Sequence, residues 1–219
     1  MLVFYPSDIY LDKNKVIRFL GYKQGNEPNK RIINIIDTEV EHARSLIEPK
    51  GIYEILDARK IKEKRFEDAD KIALAVVTIG NKLEKEVQDM FRQGENTRAL
   101  VLDAVGSVAT EETANIINRK INKKSEKEGY KTTRRFSPGY GNWKMGGQTL
   151  IFKNIKDIEK KLGVVLLSSK IMEPIKSTSF VIKIGRNTMK EMTTDQCKNC
   201  HLKEDCLRDR NTPLCSVAM

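Results

Sequence analysis

The chain predicts an α+β fold: one domain of long helices on a twisted, mixed or antiparallel sheet, followed by a short cysteine-rich tail. Three observations carry this. Apolar residues recur at helical spacing over several long stretches, whereas Ile72-Ala-Leu-Ala-Val-Val-Thr-Ile79 is a continuous apolar run of strand length and β-rich composition. Strands and helices mix without regular βαβ alternation, which disfavours a doubly wound parallel sheet. All four cysteines fall between Cys197 and Cys215, beyond the last apolar periodicity. A boundary near Met189 therefore gives a domain over residues 1–189 and a tail over 190–219.

Within the first 25 residues the spacing predicts one short helix, Lys15–Tyr22, stopped near Gly21 or Gly25. Asn29–Glu48 reads as a helix because Ile32, Ile33, Ile36, Val40, Ala43 and Ile47 recur on one side, and Pro49-Lys50-Gly51 ends it. Ile52–Leu56 is a strand, Lys60–Lys64 a charged connector, and Lys71–Gly80 a buried strand. Helices follow over Lys82–Arg92, ended near Gly94, and over Ala99 to about Glu128, stopped by Gly129. The first half of the latter is rich in small residues (Ala99, Ala104, Gly106, Ser107, Ala109, Ala114), which suits tight helix–sheet packing. Gly147–Lys161 reads as one amphipathic helix with Leu150, Ile151, Ile155, Ile158 and Leu162 on one side and Gly163 as its stop. Val164–Leu167 and Ser179–Ile184 are strands, with an irregular polar segment between them.

The chain has 219 residues, 39% of them apolar, enough to bury a sizeable core. Its formal net charge is +10, and residues 119–135 hold eight Lys/Arg against two Glu. Such a stretch suits nucleic acid, anionic lipid or an acidic protein, and for a lysine-rich helix a solvated face is the plainer expectation. The apolar opening ends at Pro6, unlike a secretory signal, and no run reaches the roughly 18 to 20 apolar residues of a membrane helix. A cytoplasmic protein is the expectation, with no membrane partner.

Arg134-Arg135-Phe-Ser-Pro-Gly-Tyr-Gly-Asn-Trp143 is the candidate site. It concentrates two arginines, three aromatics, a proline and two glycines. Pro138-Gly139 breaks regular structure, and Gly139 and Gly141 let backbone approach a ligand closely. Arg135 offers a planar fork for a carboxylate or phosphate, and Tyr140 and Trp143 offer π faces. Several familiar chemistries are missing. There is no G-x-G-x-x-G, no Walker A loop, and no serine or cysteine set to pair with His42; His201 is the other histidine. A ligand-binding role in chemistry centred on another protein fits better than self-contained catalysis.

Four segments occur in a telling order: Thr78-Ile-Gly80; Leu102-Asp-Ala-Val-Gly-Ser107 with Glu111; Arg135-Phe-Ser-Pro-Gly-Tyr-Gly-Asn-Trp143; and Met172-Glu-Pro-Ile-Lys-Ser-Thr-Ser179. The set resembles the activation domain of cobalamin-dependent methionine synthase, particularly its small stand-alone relatives, over about residues 50–186 and the cysteine tail. In that family the domain binds S-adenosylmethionine beside cobalamin held by another module. Cobalamin that has slipped to an inactive oxidation state is reduced by one electron and remethylated. The resemblance implies that Arg135 pairs with the methionine carboxylate and that Tyr140 lies near the sulfonium or the corrin. It implies backbone contacts near Ser137 and Gly139 to adenine or ribose, and Glu111 beside the ligand amine. Trp143, Ser177 and Ser179 fall in the same segments. It also implies a cobalamin-binding methyltransferase or corrinoid protein as partner, and an electron donor such as flavodoxin or ferredoxin. One departure is clear: the full-length enzymes follow the Gly-Tyr pair with P-D-H, where this chain has Gly141-Asn-Trp-Lys-Met145.

Cys197, Cys200, Cys206 and Cys215 supply four thiolates, a set that suits either tetrahedral zinc or a four-iron iron–sulfur cluster. Within the resemblance, a cluster would deliver the electron and zinc would hold the tail. A competing expectation is a non-enzymatic nucleic-acid or protein-binding module with a zinc-bound tail. Against it, the aromatics gather in one turn instead of interleaving with the basic run.

Overall fold

The computed structural model describes residues 2–6, 9–23, 25–141 and 143–186. Along the chain run β1 (Leu2–Phe4), α1 (Lys13–Phe19), α2 (Lys30–Leu46), β2 (Lys50–Asp57) and two 3₁₀ turns (Ala58–Lys60, Lys64–Phe66). There follow β3 (Lys71–Thr78), α3 (Lys82–Arg92), α4 (Asn96–Lys127), β4 (Lys131–Thr132), α5 (Gly147–Asn154), α6 (Ile158–Leu162), β5 (Val165–Leu166), β6 (Met172–Glu173) and β7 (Ser177–Gly185). The α+β class expected from the periodicities is the class observed. The cysteine tail lies outside the described residues.

β1-β2-β3-β7-β4 is the order of the main sheet, and every neighbouring pair is antiparallel. β5 and β6 form a separate two-stranded ribbon. The unbroken apolar run of β3 has a direct cause: the strand is central and buried on both faces. Ile72, Leu74 and Val76 point to one layer, and Ala73, Ala75 and Val77 to the other. The alanine face is narrow because α4 lies across it, packing Ala114, Ile117 and Ile121 against Tyr53, Phe180 and Ile182. Gly51 of β2 serves the same approach, since a Cβ there would stand 2.9 Å from Ile117 Cγ1. The opposite face is covered by α5, α6, Phe66, Phe136 and Trp143. A third cluster joins α1, α2, α3 and the first half of α4 around Ile79 and Leu102. α4 therefore serves two cores along its 32 residues.

Local chemistry sets the helix ends. The Asn29 side chain accepts from Ile32 N–H at 3.0 Å, and Asp12 does the same for Asn14 at 2.9 Å. Gly129, at φ 76°, follows the end of α4. One expectation is corrected: residues 147–161 are two helices, not one. Ile155 is extended and Asp157 left-handed at φ 58°. The break falls between Ile155 and Ile158, both of which are buried in the core under the sheet. β1, β4 and β6 are two- or three-residue strands with no periodicity of their own, and β7 begins at Ser177, earlier than Ser179. Among the described residues no helix is long and apolar enough to cross a membrane.

Candidate functional site

Ser107, Glu111 and Asn115 are four residues apart on α4 and so share one face. Opposite that face lies the segment that crosses after β4. Phe136 is pinned to β7 by a reciprocal pair of backbone hydrogen bonds with Val181, at 3.0 and 2.8 Å. Strand alternation then divides the side chains: Phe136 enters the core beside α5, and Arg135 turns to the α4 side, over the Phe180 ring at 5.4 Å.

Arg135 is only 6% exposed. Its guanidinium donates to Glu111 Oε2, forming an ion pair, and to Asn115 Oδ1 at 3.3 Å. Its Nε is buried and meets no acceptor among the described residues. The Asn115 amide is oriented by donating in turn to Glu112 Oε2 at 3.0 Å. The Glu111 side chain is 31% exposed. The pair thus presents a carboxylate toward solvent with a guanidinium behind it. Asn115 was not among the residues singled out from sequence, although the four-residue spacing from Glu111 is a readable signal.

The turn after Arg135 closes on itself. Tyr140 N–H donates to Ser137 O at 3.3 Å, Trp143 N–H to Tyr140 O at 3.1 Å, and Gly139 N–H to Trp143 O at 2.7 Å. Gly139 suits its φ of 93°, and a Cβ there would displace the exposed Met145 side chain, whose Sδ would lie 2.5 Å away. This turn separates its two large rings. Tyr140 is 58% exposed, whereas Trp143 is buried against Phe136 and Phe66, with ring centroids at 5.3 and 6.2 Å and Arg65 over its face at 5.8 Å. Trp143 anchors the turn in the core, and Tyr140 is the ring presented.

Ser177 and Ser179 are both engaged within the fold. Ser177 Oγ bonds Thr78 Oγ1 at 2.9 Å, and Ser179 Oγ bonds Gln148 Oε1 at 2.6 Å. Just before them, Lys176 reaches α4: its Nζ is 2.9 Å from both Ser107 Oγ and Asp103 Oδ1. The residue before β7 therefore closes one end of the polar face that carries Glu111. No sequence signal separated this lysine from its neighbours.

Cys197, Cys200, Cys206, Cys215 and His201 lie outside the described residues. Among the described residues no group of three or more His, Cys, Asp or Glu could hold a metal ion. His42 sits on Glu39, with Nδ1 3.0 Å from Oε2, and its Nε2 is 3.8 Å from Glu86 Oε1. A cleft of about 350 Å³ between α2 and the start of α4 is lined by Arg31, Thr38, Glu39 and Arg98. Its buried Glu39 is already taken by Arg98 Nε at 2.6 Å and by His42, and it lies roughly 20 Å along α4 from Glu111. The Glu111–Arg135 pair is thus remote from this cleft.

No protein-family model matches the chain, and neither does any curated protein. Among solved structures, the crystal structure of the MetH reactivation domain bound to AdoHcy is similar. The match has a TM-score of 0.63 and covers 99% of this chain and 88% of that one, at 14% sequence identity. The fold implied by the four ordered segments is thus the fold found: this chain shares the architecture of the MetH reactivation domain.

Proposed function

We propose that the chain binds S-adenosylmethionine at the Glu111–Arg135 corner and presents its methyl group to cobalamin held by a corrinoid partner. The Glu111–Arg135 pair, with Asn115 beside it, is the observation that carries this. An α-amino acid head brings an ammonium and a carboxylate on adjacent bonds. A partly exposed carboxylate backed by a guanidinium suits this pairing: Glu111 takes the ammonium, and Arg135, buried and with Nη2 already on Glu111 and Asn115, takes the carboxylate through the part of its guanidinium those bonds leave. Tyr140, exposed on a rigid turn, supplies a π face for the sulfonium. The Gly139 N–H is committed to Trp143 O and is not offered to a ligand. Support also comes from the fold, because the similar MetH domain is bound to AdoHcy, the demethylated form of the same ligand.

Cobalamin on the partner supplies the reduced metal that accepts the methyl group. The work of this chain is to hold the donor in line with that acceptor, which converts an encounter of two molecules into a reaction within one complex. Four thiolates at Cys197, Cys200, Cys206 and Cys215 are a donor set suited to an iron–sulfur cluster, with zinc as the alternative occupant. A cluster would give the partner a local source of the single electron.

Calorimetric titration with S-adenosylmethionine and AdoHcy, with ATP as control, tests the proposal, alone and with a corrinoid protein present. Saturable binding is expected. Arg135→Lys keeps the charge and loses the fork, and should weaken binding about tenfold or more, whereas Lys123→Ala should leave it unchanged. Absence of binding under both conditions, or equal losses in the two variants, would overturn it.

A further inference from the structure

Side chains of α4 and of the segment that crosses it join into one unbroken hydrogen-bonded row. Arg119 Nη2 donates to Glu112 Oε1 at 2.8 Å, and Asn115 Nδ2 donates to Glu112 Oε2 at 3.0 Å. Asn115 Oδ1 then accepts from Arg135 Nη2 at 3.3 Å, and the same nitrogen donates to Glu111 Oε2. Helical spacing builds the row: Glu111 and Asn115 are four residues apart, as are Asn115 and Arg119, and Glu112 precedes Asn115 by three. Every link sets a donor against an acceptor. Arginine only donates and an ionised glutamate only accepts, so the residue between Glu112 and Arg135 must offer N–H on one side and oxygen on the other. An amide does so, and a carboxylate cannot. The Glu112 side chain is 15% exposed, so its hold on Asn115 is largely sheltered, whereas Arg119 reaches solvent.

We propose that Asn115 is a positioning residue for Arg135, and that its neutral amide makes this corner select ligands that carry an α-carboxylate. The selectivity rests on the ligand assigned to the Glu111–Arg135 corner; the positioning does not. Arg135 is fixed by the Phe180 ring, by Glu111 and by Asn115. Of the two polar neighbours, Glu111 is the one a ligand ammonium competes for. When Glu111 shares its charge with that ammonium, Asn115 still holds Nη2, and the guanidinium keeps its place. The neutrality of the amide matters as much as its bond. Glu111 and Glu112 balance Arg119 and Arg135, so an amino-acid head, itself neutral overall, enters a row already balanced in charge. A carboxylate at position 115 would set a second anion on Arg135 and leave less of its charge for the ligand's own carboxylate. It would also face the Glu112 carboxylate across the 3.0 Å now bridged by an N–H. Such a site would favour an amine without a carboxylate. Glu112 acts at one remove: by accepting from Nδ2 it keeps Oδ1 turned to Arg135.

Calorimetry on the full chain with AdoHcy, and with its analogue lacking the α-carboxylate, tests the selectivity. The isosteric Asn115→Asp should weaken AdoHcy binding about tenfold or more and leave the affinity for the analogue unchanged or raised. The double variant Glu112→Gln/Asn115→Asp keeps an acceptor for Arg119 and restores a donor opposite the new carboxylate. Its urea midpoint should return toward that of the parent, while its preference between the two ligands should stay lost. A merely structural Asn115 would weaken both ligands alike, and the double variant would restore both; either result overturns the selectivity. The positioning is read without ligand, from exchange of the Arg135 Nε–H with water in a nitrogen-edited proton spectrum, the signal being assigned by its absence in Arg135→Lys. That nitrogen is buried, so exchange in the parent is slow. Asn115→Ala should speed it about tenfold or more. An unchanged rate would overturn the positioning. A parent chain that binds neither ligand, with exchange still faster in Asn115→Ala, would end the ligand assignment and the selectivity with it, and would uphold the positioning.

Discussion

Replacing Glu111 by glutamine removes one charge from the candidate site and leaves its shape. Arg135, with 7% of its side chain exposed, then keeps a buried guanidinium with no carboxylate. Breaking a fully buried pair costs about 3 to 5 kcal/mol. Two features lower that figure here. Glu111 is 31% exposed, so part of its interaction is already screened, and the glutamine carbonyl can still accept from the guanidinium. Asn115 and the Phe180 face also remain. A loss of about 1.5 to 3 kcal/mol follows, the value of a hydrogen bond to a charged group. With a urea slope of roughly 2 to 3 kcal/mol per molar, the unfolding midpoint should drop by about 0.5 to 1.5 M. Trp143, the only tryptophan and 4% exposed, reports the transition by fluorescence. Asp89→Asn is the control. Asp89 and its partner Arg92 are 51% and 73% exposed, far from this site, so the change should cost about 0 to 1 kcal/mol. Equal midpoints for the two variants would refute the dependence of Arg135 on Glu111. Undiminished S-adenosylmethionine binding by a destabilised Glu111→Gln would make the pair structural and remove it from ligand recognition.

Gly147→Ala should strain the turn that presents Tyr140. A Cβ at Gly147 would fall 2.5 Å from Trp143 Cε2 and Nε1, inside a packed aromatic cluster, which costs about 1 to 3 kcal/mol by overpacking. A lowered melting temperature with red-shifted Trp143 emission is expected, and an unchanged spectrum and melt would show that the indole has room. Tyr53 contributes to the alkaline limit. Burial pushes its phenol above the ordinary 10.0, so the folded state holds the proton more tightly than the unfolded chain. The resulting stability is present in full below about 10 and is lost as pH rises through the raised value. Tyr53→Phe keeps the ring stacked on Phe4 and should flatten the decline in stability above about pH 10. Identical alkaline slopes for parent and variant would exclude this phenol as the cause.

The sequence alone determined most of the regular elements, because their signals are local. The β3 run, the helical recurrence of α2, the glycine after α4 and the turn at Pro138-Gly139 each follow from period or backbone chemistry within a few residues. The ordered segments were also enough to point to the fold found. Tertiary structure decided what depends on distant partners. β1 and β4 exist only because β2 and β7 offer edges to pair with, and α5 parts from α6 at an extended Ile155 and a left-handed Asp157 that no local signal marked. Glu111 and Arg135 were each visible in the sequence. Their union was not, since it requires α4 to lie across β7 with Arg135 turned to that side by strand alternation. The same packing sorted two aromatics that look equivalent in sequence, burying Trp143 and exposing Tyr140. It also brought lysines from two separate segments to one end of the sheet, where antiparallel register, and no local rule, makes them neighbours.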